Sequence, residues 1–284
     1  MSPNSTHLYD YSIDLDSNTA GANVVRMVGH NRHVLEIGCG PGSITKILRN
    51  HNNCTIVGLE LDPEAIPLVE PYCERVIAAD LNNIDWPALA TDHDKYDTIV
   101  AADVLEHLYN PWKTLSSLKA LLSPGGEVVI SLPHVGHAAL AACLMTGSFE
   151  YRDWGLLDRT HIRFFGVKDI DKLFSQAGLN IIEAVFVKTP PELTEFAPVW
   201  AALDNHVQRT LMSYPHWEVY QVVVKAVPGD VSGTSLSVDQ LIQSEYATSK
   251  LSPRAQQIPF QSIPRKLKSS IKASLKSLLG NSNT

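Results

Sequence analysis

The sequence predicts an α/β fold: a doubly wound, mostly parallel sheet of seven strands with an antiparallel edge. Three observations predict it. Short apolar runs alternate with stretches of helical periodicity from residue 33 to 187, the rhythm of strand–helix–strand units whose strands run parallel. A glycine-rich turn joins the first strand to the first helix of that series. The last two strand runs have only a weakly patterned stretch, 188–217, between them, so they can pair as an antiparallel edge.

Each element has its own signal. HVLEIG (33–38) is a buried-strand run ending in glycine, and Ile44, Ile47 and Leu48 follow at helical spacing. TIVGLEL (55–61) is the second strand. Asp62 then supplies an N-cap and Pro63 a first-turn proline for a helix through Ile66 and Val69. RVIAAD (75–80) and YDTIVAAD (96–103) are the third and fourth strands. Asn110-Pro111 opens a helix carrying Trp112, Leu115, Leu118, Leu121 and Leu122, which Pro124-Gly125-Gly126 stops. EVVISLP (127–133) is the fifth strand, 167–178 a helix closed by Gly178, and 180–187 and 218–227 the last two strands.

These elements predict one domain over 20–227, with residues 1–19 as a segment over the site. Residues 228–262, rich in Ser, Gln, Pro and Gly, read as a flexible linker. Within 263–280, Ile263, Leu267, Ile271, Leu275 and Leu278 recur at spacings of four and three, while Arg265, Lys266, Lys268, Lys272 and Lys276 fall mainly on the other side. That is a basic amphipathic helix, of the type that lies on an anionic membrane; a disordered solubilising tail and a helix docked on an acidic body are the readings that stay open beside it.

Composition narrows the class. Of 284 residues 44% are hydrophobic and 19% charged, a globular balance, and no apolar run approaches the roughly 18 residues of a membrane span. The net charge of −7 is uneven, because residues 247–284 carry seven basic groups and no acid. The acidic body argues against nucleic acid as a partner. Four cysteines without ligand spacing, and no basic or apolar leader, predict a reduced, cytoplasmic setting, with the tail open to contact with the inner membrane face or with a partner.

The densest chemical signal is Glu36-Ile37-Gly38-Cys39-Gly40-Pro41-Gly42. Glycines at alternate positions let backbone approach a ligand, and the ends of parallel strands are where nucleotide-like cofactors lie. Glu60 ends the second strand, where a carboxylate can accept both hydroxyls of a ribose. Asp80 ends the third, where it can accept an adenine amino group. The G-x-G-x-G spacing differs from the dinucleotide G-x-G-x-x-G, and Pro41 removes a donor, which disfavours a pyrophosphate.

With Gly58-Leu59-Glu60, Ala79-Asp80-Leu81, Asp103-Val104-Leu105-Glu106-His107 and Leu122-Ser123-Pro124-Gly125-Gly126, the chain resembles the class I S-adenosylmethionine-dependent methyltransferases over 33–187. The resemblance implies a Rossmann-like methyltransferase sheet and S-adenosylmethionine as cofactor. It implies that Gly38, Gly40 and Gly42 line the methionine portion and that Glu60 holds the ribose. Leu61, Asp80 and Leu81 would frame the adenine, and Asp103 and Val104 would close the site, with Glu36 beside the turn. The segment from Gly147 through Gly155-Leu156-Leu157-Asp158-Arg159-Thr160-His161-Ile162-Arg163-Phe164-Phe165 is similar to a bacterial subgroup linked to polysaccharide assembly, which implies a glycan setting.

Transfer of a methyl group from a sulfonium requires alignment of the acceptor, and a hydroxyl acceptor gains from a base. His161 and His107 are the catalytic candidates, and His134, His137, Asp158 and Arg163 the candidates for contact with a small-molecule or glycan acceptor. Asp103, Glu106 and His107 stand at i, i+3 and i+4 and, with His161, could form a divalent site. The Asp103/Glu106 spacing is equally a capping box, and no metal is assigned. Two other readings stay open: a nicotinamide-dependent oxidoreductase on a similar fold, and a non-catalytic module that keeps cofactor binding.

Overall fold

In the computed structural model, residues 9–90, 95–229 and 235–251 are described. In chain order they form α1 (Ala20–Val28), β1 (His33–Ile37), α2 (Thr45–Asn50), β2 (Thr55–Glu60), α3 (Ile66–Val69), β3 (Arg75–Ala78), α4 (Trp86–Leu89), β4 (Tyr96–Ala102), α5 (Pro111–Leu118), β5 (Leu122–Pro133), α6 (Ala138–Met145), α7 (Val167–Gln176), β6 (Leu179–Lys188), α8 (Ala197–Ala201), α9 (Asn205–Leu211), β7 (Val219–Pro228) and α10 (Val238–Leu251). The sheet order is β3-β2-β1-β4-β5-β7-β6. β1 to β5 pair in parallel, and β7 is antiparallel to both β5 and β6, the expected edge.

In the central strands both faces are covered, so successive residues are buried but belong to different layers. Leu35, Ile99 and Val128 face one core, with α5 and α7 residues such as Leu115 and Ile170. Val34, Val100 and Val129 face the other, with Val24 and Val28 of α1. α1 is an element the periodicity did not announce. Thr19 caps it, its Oγ1 accepting from the Ala22 N–H at 3.3 Å, and Gly21 allows Ile13 to pack where a Cβ would stand 2.9 Å from its Cδ1.

The stretch 188–217 is structured despite its weak pattern. Trp200 of α8 packs on Ala138 and Ala142 of α6, whose other apolar side chains Leu144 and Met145 are exposed. The expected linker 228–262 is corrected in its middle, where α10 is helical. Asp171 of α7 fixes its start: Oδ2 accepts from the Ser237 hydroxyl at 2.7 Å and Oδ1 from the Val238 N–H at 2.7 Å. The compact unit runs to Gln243, beyond the expected boundary at 227. The second unit begins at Ser244, and its expected tail helix 263–280 lies outside the described residues.

Candidate active site

A cleft of about 640 Å³ opens where β1 and β4 end, the point at which the strand order reverses direction. Its floor is the turn after β1, its far wall the residues after β4, and Trp154 to His161 form the wall opposite. Tyr9 and Tyr11 border it as well. Ser43 pins them, accepting from the Tyr11 N–H at 3.0 Å and donating its hydroxyl to the Tyr9 carbonyl at 3.0 Å.

The three turn glycines separate by role. Gly40 has φ +53 and nothing within 4 Å of where a Cβ would stand, so it presents open backbone to the cleft. Gly38 also lines the cleft, while Gly42 does not: a Cβ there would meet Val69 Cγ2 at 2.9 Å, so this glycine serves packing against α3. Glu60 stands at the cleft with Oε2 accepting from the Gly40 N–H at 2.6 Å and Oε1 from the N–H groups of Leu61 and Asp62 at 2.8 and 2.9 Å. Glu36 is buried in the floor and accepts from the Thr45 hydroxyl at 2.7 Å. Burial pushes its carboxyl up to about 7, and the charge of Glu60 adds to that rise.

Leu61, Asp80 and Leu81 lie outside the lining. Leu61 and Asp80 are exposed at the adjoining strand ends, and Leu81 packs on the core. Val104 is buried beneath Gly38.

After β4 the chain departs from the helical turn that the i, i+3, i+4 spacing assumes. Asp103 sits at φ +53, in the left-handed region, and a short 3₁₀ turn covers Leu105–His107. Asp103 therefore caps no helix, and its carboxylate, though close enough to feel the His107 ring, is not one of the groups that cluster with the histidines. Its Oδ1 accepts from Ser131 Oγ at 2.8 Å and its Oδ2 from Gln221 Nε2 at 2.7 Å. The other three do converge: Glu106, His107 and His161 offer ligand atoms all within 4.8 Å of one another, near enough for one divalent ion to share.

Glu106 is fully buried with both carboxyl oxygens lacking a hydrogen-bond partner, and burial raises its carboxyl far above the usual range. His161 Nε2 lies 3.9 Å from Glu106 Oε1. Burial, aided by His107, pulls the His161 ring down to about 4. The His107 and His161 rings meet edge to face with centroids 4.8 Å apart.

Of the acceptor-side candidates only Asp158 borders the cleft. His137 is instead the N-cap of α6: its Nδ1 accepts from the Ala139 N–H at 3.1 Å, which leaves Nε2–H to donate to the Thr189 carbonyl at 2.8 Å. His134 is 1% exposed behind Gly136 and edge-on to His216. Arg163 donates to the Tyr109 carbonyl at 2.6 Å and lies over the Trp112 ring, turned from the cleft. In their place the fold brings in Tyr9, Tyr11, Tyr220 and Gln221. Tyr220 and Gln221 arrive from β7, a strand far away in sequence, so only the antiparallel pairing reveals them.

Known proteins share this fold. A family profile described as a methyltransferase domain matches residues 17–184. A ubiquinone biosynthesis O-methyltransferase of Coxiella burnetii is 20% identical over 166 residues, covering 58% of this chain and 70% of its own length. One from Cereibacter sphaeroides is 26% identical over 153 residues, covering 53% and 61%. Among solved structures, an S-adenosylmethionine-dependent methyltransferase from Archaeoglobus fulgidus has a TM-score of 0.53 at 16% identity, covering 72% of this chain and 91% of its own. The [4+2]-cyclase SpnF has a TM-score of 0.50 at 14% identity, covering 80% and 89%, so the fold by itself does not fix the reaction. The family profile does what the fold cannot: spanning more than half of the sequence, it shows that the chain belongs to the methyltransferase domain family, an S-adenosylmethionine-dependent methyltransferase.

Proposed function

We propose that this enzyme methylates an oxygen atom of a small-molecule or glycan acceptor. The observation that carries this reading is the pair of cleft-lining histidines, His107 and His161, beside the strand end where the cofactor would lie. A hydroxyl must lose its proton as it becomes an ether, and an imidazole in the wall can take it. The O-methyltransferase names of the two relatives support the same atom. The GLLDRTHIRFF segment supports a glycan, and the basic tail supports action at an anionic membrane face or on an acidic partner.

The residues fit the cofactor. The cleft volume is that of a small-molecule site, Gly40 leaves its backbone open, and Glu60 stands over that opening. When bound, S-adenosylmethionine supplies an activated methyl group on a sulfonium. Gly38 and Gly40 would admit its methionine portion and Glu60 would hold the ribose hydroxyls, displacing part of its backbone bonding. Leu61, Asp80 and Leu81 would frame the adenine from the neighbouring strand ends. Asp103, held by Ser131 and Gln221, would face the amino group. Tyr9, Tyr11 and Trp154 would exclude water above the acceptor.

Calorimetry with S-adenosylhomocysteine and with NAD, followed by tritiated-methyl transfer to a panel of phenols, catechols and glycans, tests this. Expected are binding of the first ligand alone and label in an alkali-stable ether. Label on nitrogen or carbon, or NAD binding, overturns the reading.

A further inference from the structure

Asp158, Thr160 and His107 form a hydrogen-bonded series along one side of the cleft. Asp158 Oδ1 accepts from both the Thr160 N–H, at 2.8 Å, and the Thr160 hydroxyl, at 2.6 Å. His107 Nδ1 lies 3.0 Å from that hydroxyl oxygen and 3.2 Å from the Thr160 carbonyl oxygen. On the other side of Asp158, Tyr9 donates its hydroxyl to Oδ2 at 3.4 Å. The main chain is anchored too, because the N–H groups of Ile162 and Arg163 both donate to the Glu106 carbonyl at 2.9 Å.

Counting protons decides the direction of this series. Thr160 has one hydroxyl proton. A bond to a carboxylate is charge-assisted and the strongest on offer among Asp158, Tyr9 and His107, and its 2.6 Å length is that of such a bond. The proton therefore goes to Asp158, which leaves the hydroxyl oxygen as an acceptor toward His107. The Thr160 carbonyl can only accept. Both contacts then require the proton of the neutral imidazole on Nδ1, and the lone pair on Nε2. The arrangement is an acid–hydroxyl–imidazole series in which the carboxylate acts on the ring through one intervening hydroxyl.

We infer that Asp158 and Thr160 are positioning residues that hold the cleft-lining His107 in its Nδ1–H tautomer, making His107 Nε2, and not His161, the atom that receives the acceptor's proton. His161 is the lesser candidate on geometry: it is 8% exposed, and its Nε2 is directed to the buried carboxyl of Glu106 at 3.9 Å. This inference rests on the O-methylation reading and names the residues that serve it. The acceptor oxygen bonds to the methyl carbon as the carbon–sulfur bond breaks, with that electron pair remaining on sulfur. The hydroxyl proton passes to His107 Nε2, and the imidazolium then returns it to water.

The test is a long-range proton–nitrogen spectrum of the full chain labelled with ¹⁵N-histidine, with His107→Gln to assign the ring. The expected result is a neutral His107 whose Nδ1 carries the proton. In Asp158→Ala the freed Thr160 hydroxyl can donate to Nδ1, so the ring shifts toward the Nε2–H form. Thr160→Ser keeps the wild-type pattern. Methyl transfer to the best acceptor of the panel should fall roughly 100-fold in Asp158→Ala, in kcat more than in KM, and stay within threefold in Thr160→Ser, with S-adenosylhomocysteine affinity changed less than twofold in both. A wild-type ring protonated on Nε2 overturns the inference, as does an unchanged tautomer and kcat in Asp158→Ala. Should the tautomer behave as expected while no oxygen acceptor is methylated, the O-methylation reading fails instead.

Discussion

At the scale of single residues, the glycine turn separates two demands that look identical in sequence. Gly40 and Gly42 both have positive φ, but only Gly42 is crowded, by Val69, while Gly40 faces open cleft. Gly42→Ala therefore meets a neighbour in the core and pays backbone strain too. It should lower stability by about 2 kcal/mol or more, with the folded fraction still binding S-adenosylhomocysteine. Gly40→Val should cost only about 1–2 kcal/mol of backbone strain yet abolish binding, since its side chain enters the cleft. Thermal melts beside calorimetry separate the two outcomes, and a Gly40→Val chain that binds normally would make all three glycines structural. Glu60→Ala removes charge-assisted bonds worth about 1.5–3 kcal/mol each, so affinity should fall at least tenfold. An affinity within threefold of wild type would take the ribose away from Glu60.

At the scale of elements, His137 shows a residue whose type suggested chemistry and whose place is architecture. It caps α6 through Nδ1 and reaches Thr189 through Nε2, so both ring nitrogens are committed and protonation must break the cap. Burial pulls its titration down from 6.5 to about 4. His134, buried beside His216 and His137, is pulled down to about 3. A histidine whose folded titration point lies below its unfolded one contributes stability that is fully present above about 6.5 and lost as pH falls through 4. The folded chain should therefore weaken between pH 6.5 and 4 by several kcal/mol, and His137→Asn, which can still cap, should flatten part of that slope. Urea titrations at pH 7.5 and 4.5 measure it, and equal slopes for the variant and wild type would remove His137 as the source. α10 makes the complementary point. Its anchor is a side chain on α7, 66 positions from Ser237, so no local pattern in 228–262 could announce where a helix would dock. Asp171→Ala should cost about 1–2 kcal/mol by leaving its first N–H groups without their acceptor.

At the scale of the whole molecule, what was legible followed the range of the interactions. The seven strands and the turn after β1 are written in local periodicity and glycine spacing, and all seven strands formed near their expected places, the fifth beginning earlier, at Leu122. The cleft was legible where one strand end makes it, at Glu36, Gly40 and Glu60. It was illegible where separate elements meet, as with Tyr220 and Gln221 from β7. Histidines after strand ends look alike in sequence, and only burial and partners sort His107 from His134 and His137. The basic tail belongs to the same scale, because it is read from the sequence as a unit separate from the domain. Each basic residue near an anionic surface adds about 1 kcal/mol, and five of them flank an apolar stripe of Ile263, Leu267, Ile271, Leu275 and Leu278. The cut that tests it must spare α10, since Val238 and Ile242 are fully buried in the core. A chain ending at Leu251 keeps that packing, whereas one ending near 230 would confuse a lost anchor with a damaged fold. The full chain should sediment with vesicles of phosphatidylserine and phosphatidylcholine, release in high salt, and ignore vesicles of phosphatidylcholine alone, while the shortened chain stays in solution. Equal sedimentation of both chains would place the contact elsewhere. Loss of methyl transfer to a soluble acceptor on shortening would assign the tail to an acidic surface of the enzyme itself.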